Sequence, residues 1–350
     1  MRAGSGRLVD RHPSLDRDRV LADLVPPPRF AQARFATYEP DPAQPSQAAA
    51  RARLERFAAA TGAGADDRGR GGGLARLLGR RDTSRGGTAD AAQGVYLDGG
   101  FGVGKTHLLT AAWHEASGRR YYGTFVEYTN LAGALGFRGA VAALSGADLV
   151  CIDEFELDDP GDTVLMARLL RELADSGTRL AATSNTLPDA LGTGRFAADD
   201  FLREIQAVGR LFEVVTVDGE DYRHRGAPRA PVPASADEVA ALRSRDGATV
   251  DDFGALCEHL ATVHPSRYGT MLDGVQEVGW SDVTALPDQN VALRLVVLAD
   301  RLYDRGLPLL TSGVPLSELF TPEMLAGGYR KKYLRALSRL TALAREPRPT

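Results

Sequence analysis

The sequence predicts an α/β protein built on a doubly wound parallel sheet, followed by a C-terminal α/β and helical portion. Three observations carry that expectation. From residue 94 onward, short apolar runs of strand length alternate with longer amphipathic stretches, the pattern of a sheet covered by helices on both faces. A glycine-rich turn, Gly99-Gly100-Phe101-Gly102-Val103-Gly104-Lys105-Thr106, joins the first such run to a helical pattern. A later apolar run, Leu149–Ile152, ends in the acidic pair Asp153-Glu154.

Residues 1–60 read as an N-terminal arm and helix. Pro26-Pro27-Pro28 and Asp41-Pro42-Ala43-Gln44-Pro45 bracket the aromatics Phe30, Phe35 and Tyr38, which suits an extended segment with aromatic anchors. Ser46 is a good cap for a helix over 46–60, with Ala50, Leu54 and Phe57 on one face. Residues 61–93 contain Gly71-Gly72-Gly73 and the arginines 68, 70, 76, 80, 81 and 85. Such a composition builds no core and reads as a linker, with a short basic amphipathic turn at Leu74–Leu78 as the alternative.

The core is expected over 94–228, with strands at Val95–Leu97, Phe125–Tyr128, Leu149–Ile152, Leu180–Thr183 and Val214–Val217 and helices starting at Lys105 and near Thr163. The proline-rich stretch Arg225–Pro233 marks the boundary to a part spanning 234–350. That part contains an internal echo: a shift of 128 residues lays Val278–Val283 under Val150–Phe155 and Thr311-Ser312-Gly313 under Thr183-Ser184-Asn185. A degenerate repeat and two merely similar strand-helix-strand units both fit it.

The 350 residues carry a net charge of −4, which argues against a globally basic coat for nucleic acid. The two cysteines, Cys151 and Cys257, form no C-x-x-C pair and suit a reducing compartment, with Cys151 in the core. No apolar run approaches the roughly 18 residues needed to span a bilayer, so a cytoplasmic protein without an integral membrane segment is expected.

Lys105 has more to say than bulk composition. Of the 42 basic residues only Lys105, Lys331 and Lys332 are lysine, so this chain uses arginine almost wherever a cation will serve. Inside a tight loop the compact ammonium reaches between phosphate oxygens where a planar guanidinium is too broad. Gly99 through Thr106 is the phosphate-binding G-x-x-x-x-G-K-[ST] pattern, in which backbone N–H groups and a helix N-terminus converge on a polyphosphate. The expected nucleotide-binding residues are therefore Gly99, Gly100, Phe101, Gly102, Val103, Gly104, Lys105, Thr106 and His107, with ATP and Mg²⁺ as ligands. Thr106 and Asp153 are the candidate metal residues. Glu154 is placed to polarise an attacking water, and Asn185, at the end of the Leu180–Thr183 run, to bond the γ-phosphate. No Asn-Lys-x-Asp motif for guanine follows, so adenine is expected by default.

These elements fit a P-loop NTPase of AAA+ type, and the finer sequence resembles the ZapE family of cell-division ATPases, also described as AFG-one-like. The resemblance is carried by Leu24–Phe30, Tyr38–Gln47, the P-loop, Cys151–Phe155, Ala182–Asn185 with Pro188-Asp189, Asp221-Tyr222-Arg223, Leu302–Arg305, Val314–Phe320 and Leu337–Leu340. The Gly/Arg-rich stretch at 61–93 and Gly192–Phe196 depart from the family pattern. The resemblance implies catalytic roles for Lys105, Glu154 and Asn185, and an arginine finger at Arg195 that reaches a neighbouring subunit's γ-phosphate. It also implies a nucleotide-dependent homo-oligomer, a protein client such as a division-ring component, recruitment to the septum, and Arg335 or Arg339 as a nucleotide-sensing arginine. Two alternatives stand beside it: a loader ATPase resembling the DnaA and DnaC replication proteins, which share Gly-x-Gly-Lys-Thr-His-Leu, and a nucleotide-dependent scaffold.

Overall fold

In the computed structural model the described residues are 6–14, 17–61, 93–100, 102–156, 160–186, 202–219 and 231–347. Residues 62–92, the body of the expected linker, lie outside them. The chain divides into two compact units. One comprises Arg17–Pro26 and Phe30–Tyr222, the other Met1–Asp16, Pro27–Arg29 and Arg223–Thr350. The arm expected as one piece over 1–60 is thus shared between both units.

Among the described residues the first unit has a five-stranded parallel sheet in the order β2-β3-β4-β1-β5. The strands are β1 (Gly94–Asp98), β2 (Arg120–Thr124), β3 (Leu149–Asp153), β4 (Arg179–Ser184) and β5 (Phe212–Thr216). Successive residues of β3 point to opposite faces, so Leu149 and Cys151 enter one buried cluster with Leu54, Phe57, Leu108 and Leu109, while Val150 and Ile152 enter another with Tyr128, Met166 and Leu170. Both faces being covered explains why this strand is apolar throughout rather than alternating. Cys151 is wholly buried and its thiol is pushed up by that burial, so it serves packing. Because β4 lies between β3 and β1, the carboxyl ends of β1, β3 and β4 meet on one edge.

The strand expected at Phe125–Tyr128 is a helix, Phe125–Leu135. Its apolar, aromatic residues suit a strand, but Thr124 ends β2 and closes a capping box. The Thr124 side chain accepts from the Glu127 N–H at 3.3 Å, and the Glu127 carboxylate accepts from the Thr124 N–H at 2.6 Å. Phe125, Tyr128, Leu131 and Ala132 are then the buried face of that helix. The strand itself lies five residues earlier, where Leu24 of the arm lines its open edge by accepting from the Tyr122 N–H at 2.9 Å. The arm helix runs Pro45–Ala59 and buries Ala50, Leu54 and Phe57 as expected, but Ser46 is not its cap: Gln44 holds that position, and the Ser46 hydroxyl accepts from the Asp218 N–H at 2.9 Å.

The second unit has a three-stranded parallel sheet in the order β6-β7-β8, from β6 (Ala248–Asp252), β7 (Glu277–Val283) and β8 (Leu309–Gly313). The same shift of 128 carries β2 onto β6 with identical bounds, and β3 onto the start of β7. Thr124 and Asp252 each cap a helix that opens with phenylalanine, Phe125 and Phe253. Glu154 and Asp282, also 128 apart, are the non-glycine residues with positive φ among those described, at 53° and 54°. Even the edges correspond: Gly6 accepts from the Val250 N–H at 3.3 Å, as Leu24 does from Tyr122. Agreement in strands, caps, backbone and edge protection favours the degenerate repeat. Leu8 follows Gly6 into the core of this unit, with its N–H and that of Val9 donating to the buried Asp251 carboxylate at 3.0 and 3.1 Å.

The C-terminal helix Arg330–Leu343 packs Tyr333, Ala336 and Leu340 into the same core. Arg335 and Arg339, expected as candidate nucleotide sensors, pair with Asp300 at 2.9 and 2.5 Å. Burial pushes the Asp300 carboxyl up, but the two guanidiniums outweigh it and hold the group below its ordinary value. The charge each would bring to a phosphate is already matched here.

If Thr124 starts a helix, Thr124→Ala should lower the unfolding free energy by about 1 kcal/mol in urea melts, the worth of an N-cap. A silent substitution would return Phe125–Tyr128 to the sheet.

Candidate functional site

The site begins where β1 ends. Residues 102–104 lead into the helix Lys105–Glu115, and the first N–H groups of a helix have no partner within it. Gly104, the residue before that helix, has φ +90°, and a Cβ there would fall 2.5 Å from Tyr38 Cε2. Glycine is therefore required twice over, by backbone and by space. Tyr38 reinforces the loop by donating its hydroxyl to the Val103 carbonyl at 2.9 Å. Beside it, His107 Nε2 lies 3.0 Å from the Arg34 carbonyl and 3.1 Å from the Thr37 hydroxyl. The proline-rich arm is thus a brace for the phosphate loop, a use its sequence did not disclose.

Lys105 is buried, and its ammonium donates to the carbonyls of Gly99 at 2.7 Å and Gly100 at 2.5 Å and to Asn185 Oδ1 at 2.9 Å. Asn185 follows β4, in a turn shaped by Ser184, whose hydroxyl accepts from the Thr186 N–H at 3.1 Å. Two residues expected from separate parts of the chain to meet a phosphate therefore touch each other.

Next to this pair, Thr106 Oγ1 lies 3.2 Å from Asp153 Oδ1 at the end of β3. Asp153 is buried and collects three hydroxyl donors from three elements: Thr106 and Thr183 on Oδ1, and Tyr122 on Oδ2 at 2.8 Å. Burial first, and the Asp153 carboxylate second, push the Tyr122 hydroxyl well above its usual range, so it is protonated and donates. Thr183 also accepts from the Glu154 N–H at 3.1 Å. That bond helps hold Glu154, a partly exposed residue, in its left-handed conformation, which costs on the order of 1 kcal/mol or more.

The structure brings Gly99, Gly100, Gly102, Val103, Gly104, Lys105, Thr106, Asp153, Glu154 and Asn185 to one edge of the sheet, with His107 in the first turn of the helix and bonded to the arm. Phe101 and Arg195 lie outside the described residues. Sequence reasoning missed Thr183 and Tyr122 as site residues. Thr183 was readable as a strand-end hydroxyl beside Asn185, whereas Tyr122 was hidden by the misplacement of β2. The signal that would have found it is Thr124-Phe125-Val126-Glu127, a capping-box pattern that ends the strand before Phe125.

A helix N-terminus, a buried lysine and a hydroxyl-carboxylate pair on the carboxyl edge of a parallel sheet suit a polyphosphate and a hard cation. The sequence profile of the AFG1-like ATPases matches residues 16–244 and 236–347. The chain belongs to the AFG1-like ATPase family. It is 27% identical to the cell division protein ZapE of Escherichia coli K12, across 78% of this chain and 83% of that one. Among solved structures, DnaI shares 17% identity with a TM-score of 0.40, covering 56% of this chain and 98% of that one. Domain III of the Thermotoga maritima replication initiation protein DnaA shares 19% with a TM-score of 0.37, covering 56% and 71%. Those two values are too low to carry a functional argument. The fold is that of an α/β P-loop NTPase, and among the described residues no helix is long and apolar enough to cross a membrane.

Thr183→Val keeps the shape of the side chain but removes a donor to Asp153 and an acceptor from Glu154. It should lower stability by about 1–3 kcal/mol in urea unfolding, the cost of orphaned buried polar groups. Unchanged stability would mean that Thr183 does not hold the pair.

Proposed function

We propose that this AFG1-like protein is a Mg²⁺-dependent ATP hydrolase that couples its nucleotide state to the regulation or remodelling of a protein assembly. The observation that carries the reading is the convergence of Lys105 on Asn185 and of Thr106 on Asp153 at one sheet edge. Lys105 exchanges loop carbonyls for phosphate oxygens when the nucleotide arrives, which releases Asn185 to bond the γ-phosphate and the water. Glu154 takes the proton of that water as it attacks. Thr106 and Asp153 supply the oxygen donors that fit Mg²⁺, and a bound Mg²⁺ would neutralise charge growing on the β- and γ-phosphate oxygens.

The likeness to a cell division protein supports a client in the division ring and recruitment to the septum. Arg195, which follows Asn185 in the chain, is proposed as the finger that completes a neighbour's site in a nucleotide-dependent oligomer.

Lys105→Ala should abolish ATP binding, whereas Glu154→Gln should bind ATP normally while turnover falls about 100-fold or more. Equilibrium binding of a fluorescent ATP analogue and a phosphate-release assay separate the two, and normal binding by Lys105→Ala would overturn the assignment. A crosslinking pull-down from dividing cells with Glu154→Gln should recover a division-ring component. Recovery of replication proteins, with turnover stimulated by DNA, would favour a loader instead.

Arg195 has its own test. Chains carrying Arg195→Ala and chains carrying Glu154→Gln, each inactive alone, should recover partial activity when mixed, because some interfaces then pair an intact finger with an intact Glu154. No recovery, with activity independent of protein concentration, would leave each site complete within one chain.

A further inference from the structure

We propose that Tyr122 is a positioning residue for Mg²⁺, acting through Asp153. The inference rests on the metal role proposed for Asp153 and adds a residue that makes no contact with nucleotide in that reading. Tyr122 stands on β2, with its backbone N–H bonded to Leu24 and its ring in the buried cluster that includes Leu108, Leu109 and Cys151. From there its hydroxyl reaches Asp153 Oδ2 at 2.8 Å, on the neighbouring strand.

The division of labour between the two carboxylate oxygens carries the argument. Thr106 and Thr183 both meet Oδ1, which anchors one oxygen but lets the carboxylate pivot about it. Tyr122 meets Oδ2, so the plane of the group is set by contacts at both ends. A carboxylate accepts about four hydrogen bonds, and one direction then remains for a metal-bound water. A metal such as Mg²⁺ demands near-ideal octahedral geometry, so a fixed carboxylate plane translates into affinity. Tyr122 is 2% exposed, so its hydroxyl meets Asp153 away from bulk solvent.

The test is Tyr122→Phe, which fills the same space without the donor. Mn²⁺ titrated into protein saturated with a non-hydrolysable ATP analogue and read by electron paramagnetic resonance should bind about tenfold more weakly, the scale of losses when a partner of a metal ligand is removed. Affinity for the analogue in EDTA should stay within about twofold of the wild type, since the nucleotide itself does not meet Tyr122. 4-Aminophenylalanine installed at position 122 restores a donor and should recover most of the metal affinity. On an Asp153→Asn background, Tyr122→Phe should add nothing, because the two residues act as one unit. Unchanged Mn²⁺ affinity in Tyr122→Phe, equal losses with metal and in EDTA, or additive losses on the Asp153→Asn background would each overturn the proposal. Asp153→Asn with undiminished Mn²⁺ affinity would overturn the metal role of Asp153 itself, and this inference with it.

Discussion

The buried carboxylate of Asp153 is the point on which the candidate site depends. It lies at the end of an apolar strand, where a charge is costly unless it is bonded, and three hydroxyls bond it. Each comes from a different element: Thr106 from the helix after the phosphate loop, Thr183 from β4 and Tyr122 from β2. One group therefore ties together three parts of the sheet edge, and the need to satisfy it sets where Thr106 and the neighbouring Lys105 stand. Thr183 extends the arrangement by holding the backbone of Glu154 in a conformation that residue would not choose alone. Strain of this kind persists because the surroundings over-determine it.

The arm serves both units in the same way. Parallel sheets expose ladder groups at their edges, and segments near the N-terminus bond them, Leu24 on β2 and Gly6 with β6. Further along, Tyr38, Thr37 and Arg34 brace the phosphate loop and its helix, while Ser46 and Gln47 bond the backbone of Asp218 beyond β5. A segment that reads from its sequence as an extended arm with aromatic anchors is a structural part of the site.

The second unit keeps the strands, caps and the positive-φ acidic residue of the first but not its chemistry. Ser281 stands where the first has Asp153, and no glycine-rich loop precedes it. At the carboxyl end of β6, Asp251 is bonded by the N–H groups of Leu8 and Val9, so the chain itself occupies that edge. The terminal helix, anchored by Arg335 and Arg339 on Asp300, packs into this unit's own core.

Legibility in the sequence followed the range of the interactions involved. The phosphate loop was readable because its glycines and lysine are demanded by local backbone geometry and by the size of an ammonium, both properties of consecutive residues. The β3 run was readable because a strand buried on both faces must be apolar along its length. The Phe125 helix was misread because its aromatic residues suit a strand equally well, and a two-bond capping box between Thr124 and Glu127 decided the matter. Thr183 and Tyr122 left local signals, but their convergence on Asp153, the brace at Tyr38 and the pairing of Arg335 and Arg339 with Asp300 were beyond sequence reasoning. Each depends on which strands and helices lie side by side, and strand order is fixed by packing of the whole sheet. The sequence by itself determined the fold class and the candidate residues proposed to meet phosphate and metal. Only the tertiary structure decided which side chains hold them in place, since a hydrogen bond between residues tens of positions apart exists only after the chain has closed around it.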